Sequence, residues 1–453
     1  MNDSRVKMRV QPKEERINNF DQVELGFTKE EAIREANRCL QCKKPMCMTG
    51  CPVSNAIPEF IKHLREDDIN GAYEVILKTS SLPAICGRVC PQERQCESKC
   101  VKGLKGEAIA IGSLERFVAD TAIENGYMSD DVIVKNCKKV AIVGSGPAGL
   151  SCAGELAKNG FDVTIYEVLH KAGGVLIYGI PEFRLPKSIV KKEIDSLKKL
   201  GVIIKTDVPI GRSLTIDDLR KEYDAVFLAT GAGLPRFMDI PGENANGVFS
   251  ANEILTRINL MSAYKDKSKT PIKKANVAYV IGGGNVAMDA VRCLKRLGIE
   301  THLMYRRSEE ELPARKMEVE HAKEEGIIFD LLQNPKEILT DENNNVIGMK
   351  VVNMKLTEAG EDGRRGVEED ESSVHEIKCD MVVMALGTLP NHEVVRDSDI
   401  KLTDKGLIYA DDTVTSLDNV YAGGDAVTGS ATVILAMEAG KKAAHKIIES
   451  LNK

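Results

Sequence analysis

Ten residues constrain this chain more than any others: Val140-Ala141-Ile142-Val143-Gly144-Ser145-Gly146-Pro147-Ala148-Gly149. An apolar, partly β-branched run passes directly into G-x-G-x-x-G, which predicts a buried strand, a tight turn and a helix. Gly144 permits the turn, Gly146 lets backbone approach a pyrophosphate, and Gly149 lets the helix pack close on the strand. The helix opening at Pro147 and Ala148 points the positive end of its dipole at the phosphates. The next apolar run, Asp162 to Glu167, ends in an acid 23 residues after Gly144. That carboxylate can accept hydrogen bonds from a ribose diol.

The plan repeats. Val280-Ile281-Gly282-Gly283-Gly284-Asn285-Val286-Ala287 is strand followed by G-x-G-x-x-A, within the tolerance of the fingerprint. Its second strand, Thr301 to Tyr305, ends in Arg306-Arg307 rather than an acid. A ribose 2′-phosphate is repelled by carboxylate and gripped by guanidinium, so this unit prefers NADP(H). Arg315, shortly downstream, is a candidate third phosphate contact. Two unlike sites imply two nucleotides, FAD at the first and NADPH at the second, and hence hydride transfer positioned by the protein. No hydrolytic triad is evident. The expected fold is α/β, with two Rossmann-like domains and the second inserted in the first.

Eight of the 12 cysteines lie between Cys39 and Cys100. Their spacing is Cys39-x2-Cys42-x4-Cys47-x3-Cys51-Pro52, then Cys86-x3-Cys90-Pro91-x4-Cys96-x3-Cys100. This is close to the ferredoxin pattern, in which the Cys before Pro ligates the other cluster. Eight thiolates match two [4Fe–4S] clusters, and equally two zincs. A flavin alongside favours iron–sulfur, because zinc has no redox chemistry to couple to it. Cys137, Cys152, Cys293 and Cys379 are scattered singly and read as buried small apolar residues. No C-x-x-C follows Cys100, which argues against a flavoprotein disulfide reductase. The expected domains are 1–135, helical with two clusters; 136–245, FAD-binding, first part; 246–378, NADPH-binding; and 379–453, FAD-binding, second part. Thr28–Arg38, Ile57–Leu64 and Ile69–Leu77 are expected helices, with Thr28 and Glu31 forming a capping box. Asp362-Gly363 is an expected hairpin turn, and Val433 to Leu451 an expected last helix.

Charge narrows the function. With 62 basic and 68 acidic residues the net charge is −6, unsuited to a nucleic-acid surface. No apolar run approaches the ~20 residues of a membrane span, and Met1 to Arg16 lacks the apolar core of a signal peptide. A cytoplasmic location is expected.

With these parts in this order, the chain resembles the small subunit of NADPH-dependent glutamate synthase. It is similar also to the large subunit of NADH-dependent ferredoxin:NADP oxidoreductase and to modules of dihydropyrimidine dehydrogenase and sulfide dehydrogenase. Gly173-Gly174-Val175-Leu176, Gly179 to Pro186, Ala229-Thr230-Gly231 and Ala422-Gly423-Gly424-Asp425-Ala426 carry the resemblance together with the cysteine blocks. It implies one cluster on Cys39, Cys42, Cys47 and Cys100. The other would take Cys51, Cys90, Cys96 and a non-cysteine ligand at Glu115, leaving Cys86 spare; a count of thiolates alone selects Cys86. It implies further FAD contacts at Gly174, Val175, Arg184, Val208, Thr230, Gly231, Gly424, Asp425, Thr432 and Val433. Gly387 would meet NADPH beside Gly283, Gly284, Asn285 and Val286. It implies an electron-transfer oxidoreductase subunit, exchanging hydride between NADP(H) and FAD and single electrons through two clusters. The partner would be a flavin or iron–sulfur subunit in a hetero-oligomer, or a glutamate synthase large subunit.

Overall fold

The computed structural model describes residues 4–127, 133–360 and 363–452; Asp362 of the expected turn lies outside them. The cysteine-rich segment folds as short helices: α1 (Lys29–Asn37), α2 (Ile57–Arg65), α3 (Ile69–Leu77), α4 (Pro83–Val89) and α5 (Ile111–Glu124). Thr28 and Glu31 form a reciprocal capping box at the start of α1. The start of α3 is fixed by Asp68, whose carboxylate accepts from Gly71 N at 2.9 Å. Phe60, Ile61, Leu64, Ile76, Leu114 and Val118 are fully buried where these helices meet.

Two parallel five-stranded sheets follow. The first contains β1 (Lys139–Val143), β2 (Asp162–Tyr166), β3 (Ile203–Lys205), β4 (Ala225–Leu228) and, near the end of the chain, Val420–Ala422. Val420–Ala422 pairs with β4, which pairs with β1, then β2 and β3. Helices α6 (Pro147–Lys158), α7 (Lys187–Lys199) and the last helix, Val433–Leu451, flank it. The second sheet contains β5 (Val248–Ser250), β6 (Val277–Ile281), β7 (Glu300–Tyr305) and β8 (Ile328–Leu331), with α8 (Asn285–Arg296) and α9 (Lys316–Glu324) packed against it. Its order places Met381–Met384 between β5 and β6.

That strand moves a boundary. Residues 381–384 were expected in the second part of the FAD domain, but their backbone pairs with Ala278–Ile281 and Val248–Ser250. The polar stretch before them forms a three-stranded antiparallel sheet, Gln333–Thr340, Val346–Ala359 and Arg365–Lys378. The two crossings between the large sheets are tied by a short antiparallel pair, Leu234–Pro235 with Thr388–Leu389. Among the described residues, no helix is long and apolar enough to cross a membrane. Cys152, Cys293 and Cys379 are buried, but Cys137 is exposed; it sits at φ 61° in the segment leading into β1, outside the sheet that would cover it.

Candidate functional site

The first glycine turn is shaped by what a methyl group would strike. A Cβ on Gly144, at φ 104°, would overlap the carbonyl oxygen of Ala229, and one on Gly149 the carbonyl oxygen of Gly144. A Cβ on Gly146 meets nothing within 4 Å. Gly231 faces similar open space, and the Thr230 hydroxyl is buried there without a hydrogen-bond partner among the described residues. Buried polar atoms are rarely left so, and an orphan hydroxyl beside a helix N-terminus fits a phosphate-bearing ligand. Gly174 approaches the Gly146 backbone, and Gly424 approaches Ala148, so these segments border the same turn. Val175 opens the short helix Val175–Tyr178, and Thr432 caps the last helix, opened by Val433, by accepting from Leu435 N at 3.4 Å.

The acids of this region are already engaged. Glu167 is buried and accepts from Ser145 N at 3.0 Å, from the Ser145 hydroxyl, and from Leu169 N at 2.8 Å. A carboxylate offers about four lone-pair sites, so one is left for a ligand. Val208 N donates to the Glu167 backbone carbonyl at 2.9 Å. Asp425 accepts from Ala431 N at 3.2 Å, and burial pushes its carboxyl up to about 6. Tyr178 was missed in the sequence. Burial, then the charges of Asp425 and Glu167, pushes its phenol up to about 12; an aromatic between two glycine motifs was the available signal. Lys187 was missed too, and its ammonium pins the preceding loop by donating to the Leu176, Ile180 and Leu185 carbonyls.

In the second unit, a Cβ on Gly282 would overlap the Ala385 carbonyl oxygen, while Gly284 and Gly387 face open space. Gly283 packs on Tyr305 and Leu312. Val286, at the start of α8, is 43% exposed. Arg306 is exposed and, among the described residues, makes no hydrogen bond or ion pair. Arg307 donates from Nε to the Arg365 carbonyl at 2.7 Å. Asn285 accepts from Arg315 N at 3.0 Å.

Two arginines lie elsewhere than expected. The Arg315 guanidinium is buried and turns away from the nucleotide side. It donates to the Arg88 carbonyl and to Gln92 Oε1, both at 3.0 Å, and lies 3.6 Å from Glu93. It joins the inserted domain to the helical domain and is not a phosphate contact. Arg184 grips both oxygens of Asp289 at 2.7 Å and Glu318 at 3.0 Å. Its charge is spent in the seam with α8 and α9 rather than on the first nucleotide site. That seam is a buried charge network. Arg292 pairs with Glu318 and with Glu325 (2.7 Å), Arg296 with Glu325 (2.7 Å), and Arg16 with Glu325 (3.0 Å). Arg292 and Arg296 stack on the Phe183 ring at 4.6 and 4.0 Å from its centre. Burial alone would raise the two glutamates, but the guanidiniums outweigh it and hold both at about 2.

The cysteines separate into two groups. Cys39, Cys42, Cys47 and Cys100 line one cavity with Leu40, Met46, Val101 and Ile57. Cys51, Cys90 and Cys96 all feel the charge of Glu115. Among the described residues Glu115 makes no hydrogen bond or ion pair, and burial, then Glu193, pushes its carboxyl up to about 8. Burial also pushes Cys47 and Cys51 up to about 11. Thiols this reluctant to ionise, with an unpartnered carboxyl among them, need a cationic centre to become ligands. Among the described residues no three such groups converge on a single ion position; a cubane asks for ligands spread around four irons. The donor set fits the cluster. Cys86 is buried and donates instead to Met437 Sδ at 3.4 Å, on the last helix.

Family models bear on both halves. Residues 16–127 match dihydropyrimidine dehydrogenase domain II, 4Fe-4S cluster, and residues 138–440 match pyridine nucleotide-disulphide oxidoreductase. The glutamate synthase [NADPH] small chain of Escherichia coli is 36% identical over 443 residues, covering 95% of this chain and 94% of that one. The chain belongs to the glutamate synthase small-chain family of pyridine nucleotide-disulphide oxidoreductases. This oxidoreductase is 37% identical over 432 residues to the NADP(+)-dependent formate dehydrogenase subunit beta of Moorella thermoacetica, covering 89% of this chain and 60% of that one. Mycobacterium tuberculosis FprA in complex with NADPH shares the fold at a TM-score of 0.60 and 20% identity, over 70% of this chain and 85% of that one. The oxidoreductase is therefore NADPH-dependent, with a flavin- and pyridine-nucleotide-binding fold and an iron–sulfur domain.

Proposed function

We propose that this oxidoreductase holds FAD at the first glycine turn and NADP(H) at the second, and exchanges single electrons with a partner subunit through two [4Fe–4S] clusters. The nucleotide and flavin supply hydride transfer, and the clusters supply one-electron chemistry. Gly146, Gly174, Gly231 and Gly424 leave room for the flavin nucleotide along the end of α6. Pro147 and Ala148 set the helix end against its phosphates, and Thr230 donates its spare hydroxyl. Glu167 takes a ribose hydroxyl with its remaining lone pair, and Asp425, Thr432 and Val433 border the far end. Gly284, Val286 and Gly387 frame the NADP(H) cleft, and Arg306 pairs with the 2′-phosphate. Cys39, Cys42, Cys47 and Cys100 hold one cluster; Cys51, Cys90, Cys96 and Glu115 hold the other, while Cys86 remains a thiol.

One observation carries the reading. Cys90 and Cys86 share a buried core with Leu176, Ile177, Ile434 and Met437 of the flavin-binding fold, which supports a cluster held next to that fold. Anaerobically prepared protein should contain about eight irons and eight sulfides per chain. NADPH should bleach both flavin and iron–sulfur absorbance. Protein with flavin but no iron, or iron that stays oxidised under NADPH, overturns the reading. The assembly it serves is of the ferredoxin:NADP oxidoreductase type. Glutamate synthesis is the second reading, favoured by near full-length identity to the E. coli small chain; purification with the native partner separates the two.

A further inference from the structure

Residues 312–315 are held from two sides, and the two sides belong to different sites. On one side the segment pins the second glycine turn. Ala314 N donates to the Gly283 carbonyl at 3.2 Å, and Arg315 N to Asn285 Oδ1 at 3.0 Å. On the other side it is gripped by the loop around Cys90. The Arg94 guanidinium donates to the Leu312, Pro313 and Ala314 carbonyls at 3.4, 3.0 and 3.1 Å. The Arg315 guanidinium returns the contact, on the Arg88 carbonyl and Gln92 Oε1. Gln92 in turn donates from Nε2 to the Cys86 and Gly87 carbonyls at 3.3 and 3.2 Å. Its side chain fills the space that Gly112 leaves on α5, the helix of Glu115, where a Cβ would overlap it.

Leu312 to Arg315 lie outside any helix or strand, so no ladder of backbone hydrogen bonds fixes their shape. The planar fork of Arg94 takes that role for three consecutive carbonyls. Arg94 is itself exposed, and ordering an exposed arginine costs rotamer entropy, which these three contacts offset. The shape of the Gly283–Asn285 turn therefore depends on the loop that carries Cys90. We propose that Arg94 and Arg315 are positioning residues for NADP(H): they keep the turn in its binding shape only while the Cys90 loop is itself held by its cluster. The inference rests on the reading of Gly283–Asn285 as the NADP(H) turn and of Cys90 as a cluster ligand. Both arginines act through the backbone and not on the 2′-phosphate. A chain that loses this cluster loses nucleotide affinity with it, and so stops drawing on NADPH.

Arg94 decides it, because it is exposed and its removal leaves the buried seam intact. Binding of NADP+ and of NAD+ to the oxidised, cluster-loaded full chain is measured calorimetrically, so no turnover enters. R94A should weaken both nucleotides by the same factor, about tenfold, and leave flavin and iron at native content. R94K, which keeps a cation but not the planar fork, should recover part of the loss. R315A should act in the same direction. C90A should also weaken NADP+ by about tenfold, and adding R94A to it should cost less than about twofold more, because both act through one loop. NADP+ affinity within about twofold of native in R94A, a loss confined to NADP+, or full additivity of R94A and C90A overturns the proposal. A native chain that binds no NADP+ would instead sink the assignment of the second turn, and native iron content in C90A would sink that of Cys90.

Discussion

The two nucleotide-binding units repeat one backbone plan and then part company at the end of the second strand. In both, the first glycine has positive φ and lies against a carbonyl of the neighbouring strand connection, Ala229 for Gly144 and Ala385 for Gly282. In both, the second glycine faces open space. Beyond that the first unit is closed and pre-wired: Glu167 is 4% exposed and already accepts three hydrogen bonds. The second is open, and Arg306 waits in solvent with no partner among the described residues. A buried, fixed acceptor suits a ligand kept through many turnovers, because its desolvation is met once, on assembly. An exposed guanidinium suits a ligand that comes and goes, since it binds phosphate without reorganising the fold.

The difference holds only while the units keep their mutual orientation, so the largest expected effect lies in the seam. Arg184→Ala would leave Asp289 and Glu318 buried beside each other without the cation that bridges them. Removing one partner of a buried pair costs about 3–5 kcal/mol. Thermal unfolding followed by circular dichroism should fall steeply, and the second unit should become protease-sensitive before the first. A melting point within a degree of native would show that the seam does not hold the units.

The same seam responds to acid. Burial, then the Arg292 charge, holds the His321 imidazole down to about 4, whereas an unfolded imidazole titrates near ~6.5. On acidification the unfolded chain therefore takes the proton first, and stability drains between these values and no further below the lower one. The loss should approach about 3 kcal/mol. A His321→Gln variant should lose less stability than native between neutral pH and pH about 4.

Much of the frame could be read from residues alone, because it rests on local rules. The capping box placed the start of α1, and the last helix spans Val433–Leu451, as expected from the sequence. Long-range partners were the harder part. Arg315 follows an Arg-Arg pair and looks like a phosphate ligand, until folding brings Arg88 and Gln92 to it from residues more than 220 positions away. Arg184 sits in a glycine- and proline-rich loop typical of ligand contacts, yet its carboxylates come from α8 and α9. Met381–Met384 reads as a fresh strand in sequence; only pairing tells which sheet receives it. Positions whose partner lies within one turn or one strand were legible, and charges that find their partner across a seam were not.

Smaller effects sharpen the contrast at the turns. Gly149→Ala puts a methyl onto the Gly144 carbonyl, and overpacking of this kind costs about 1–3 kcal/mol. The flavin should be lost more readily on dilution, followed as rising flavin fluorescence. The equivalent position in the second unit is already Ala287, fully buried. Ala287→Gly should therefore weaken α8 by about 1 kcal/mol, through helix propensity, and leave flavin retention unchanged.

The finest test separates the two adjacent arginines. Arg306 has its whole guanidinium available, so Arg306→Ala should raise the KM for NADPH by about tenfold and that for NADH by less than about twofold. Arg307 already commits Nε to the Arg365 carbonyl, and Arg365 in turn pairs with Glu311. A guanidinium held on its Nε edge can still offer its Nη atoms, but in a direction set by the loop rather than by the phosphate. Arg307→Ala should therefore raise the NADPH KM by only about threefold, and part of that should be recovered by Arg307→Lys, which keeps the charge without the fork. Steady-state kinetics with both nucleotides decides it. Equal losses for NADPH and NADH in both variants would mean that neither arginine reads the 2′-phosphate, and the open second unit would then owe its specificity to another group.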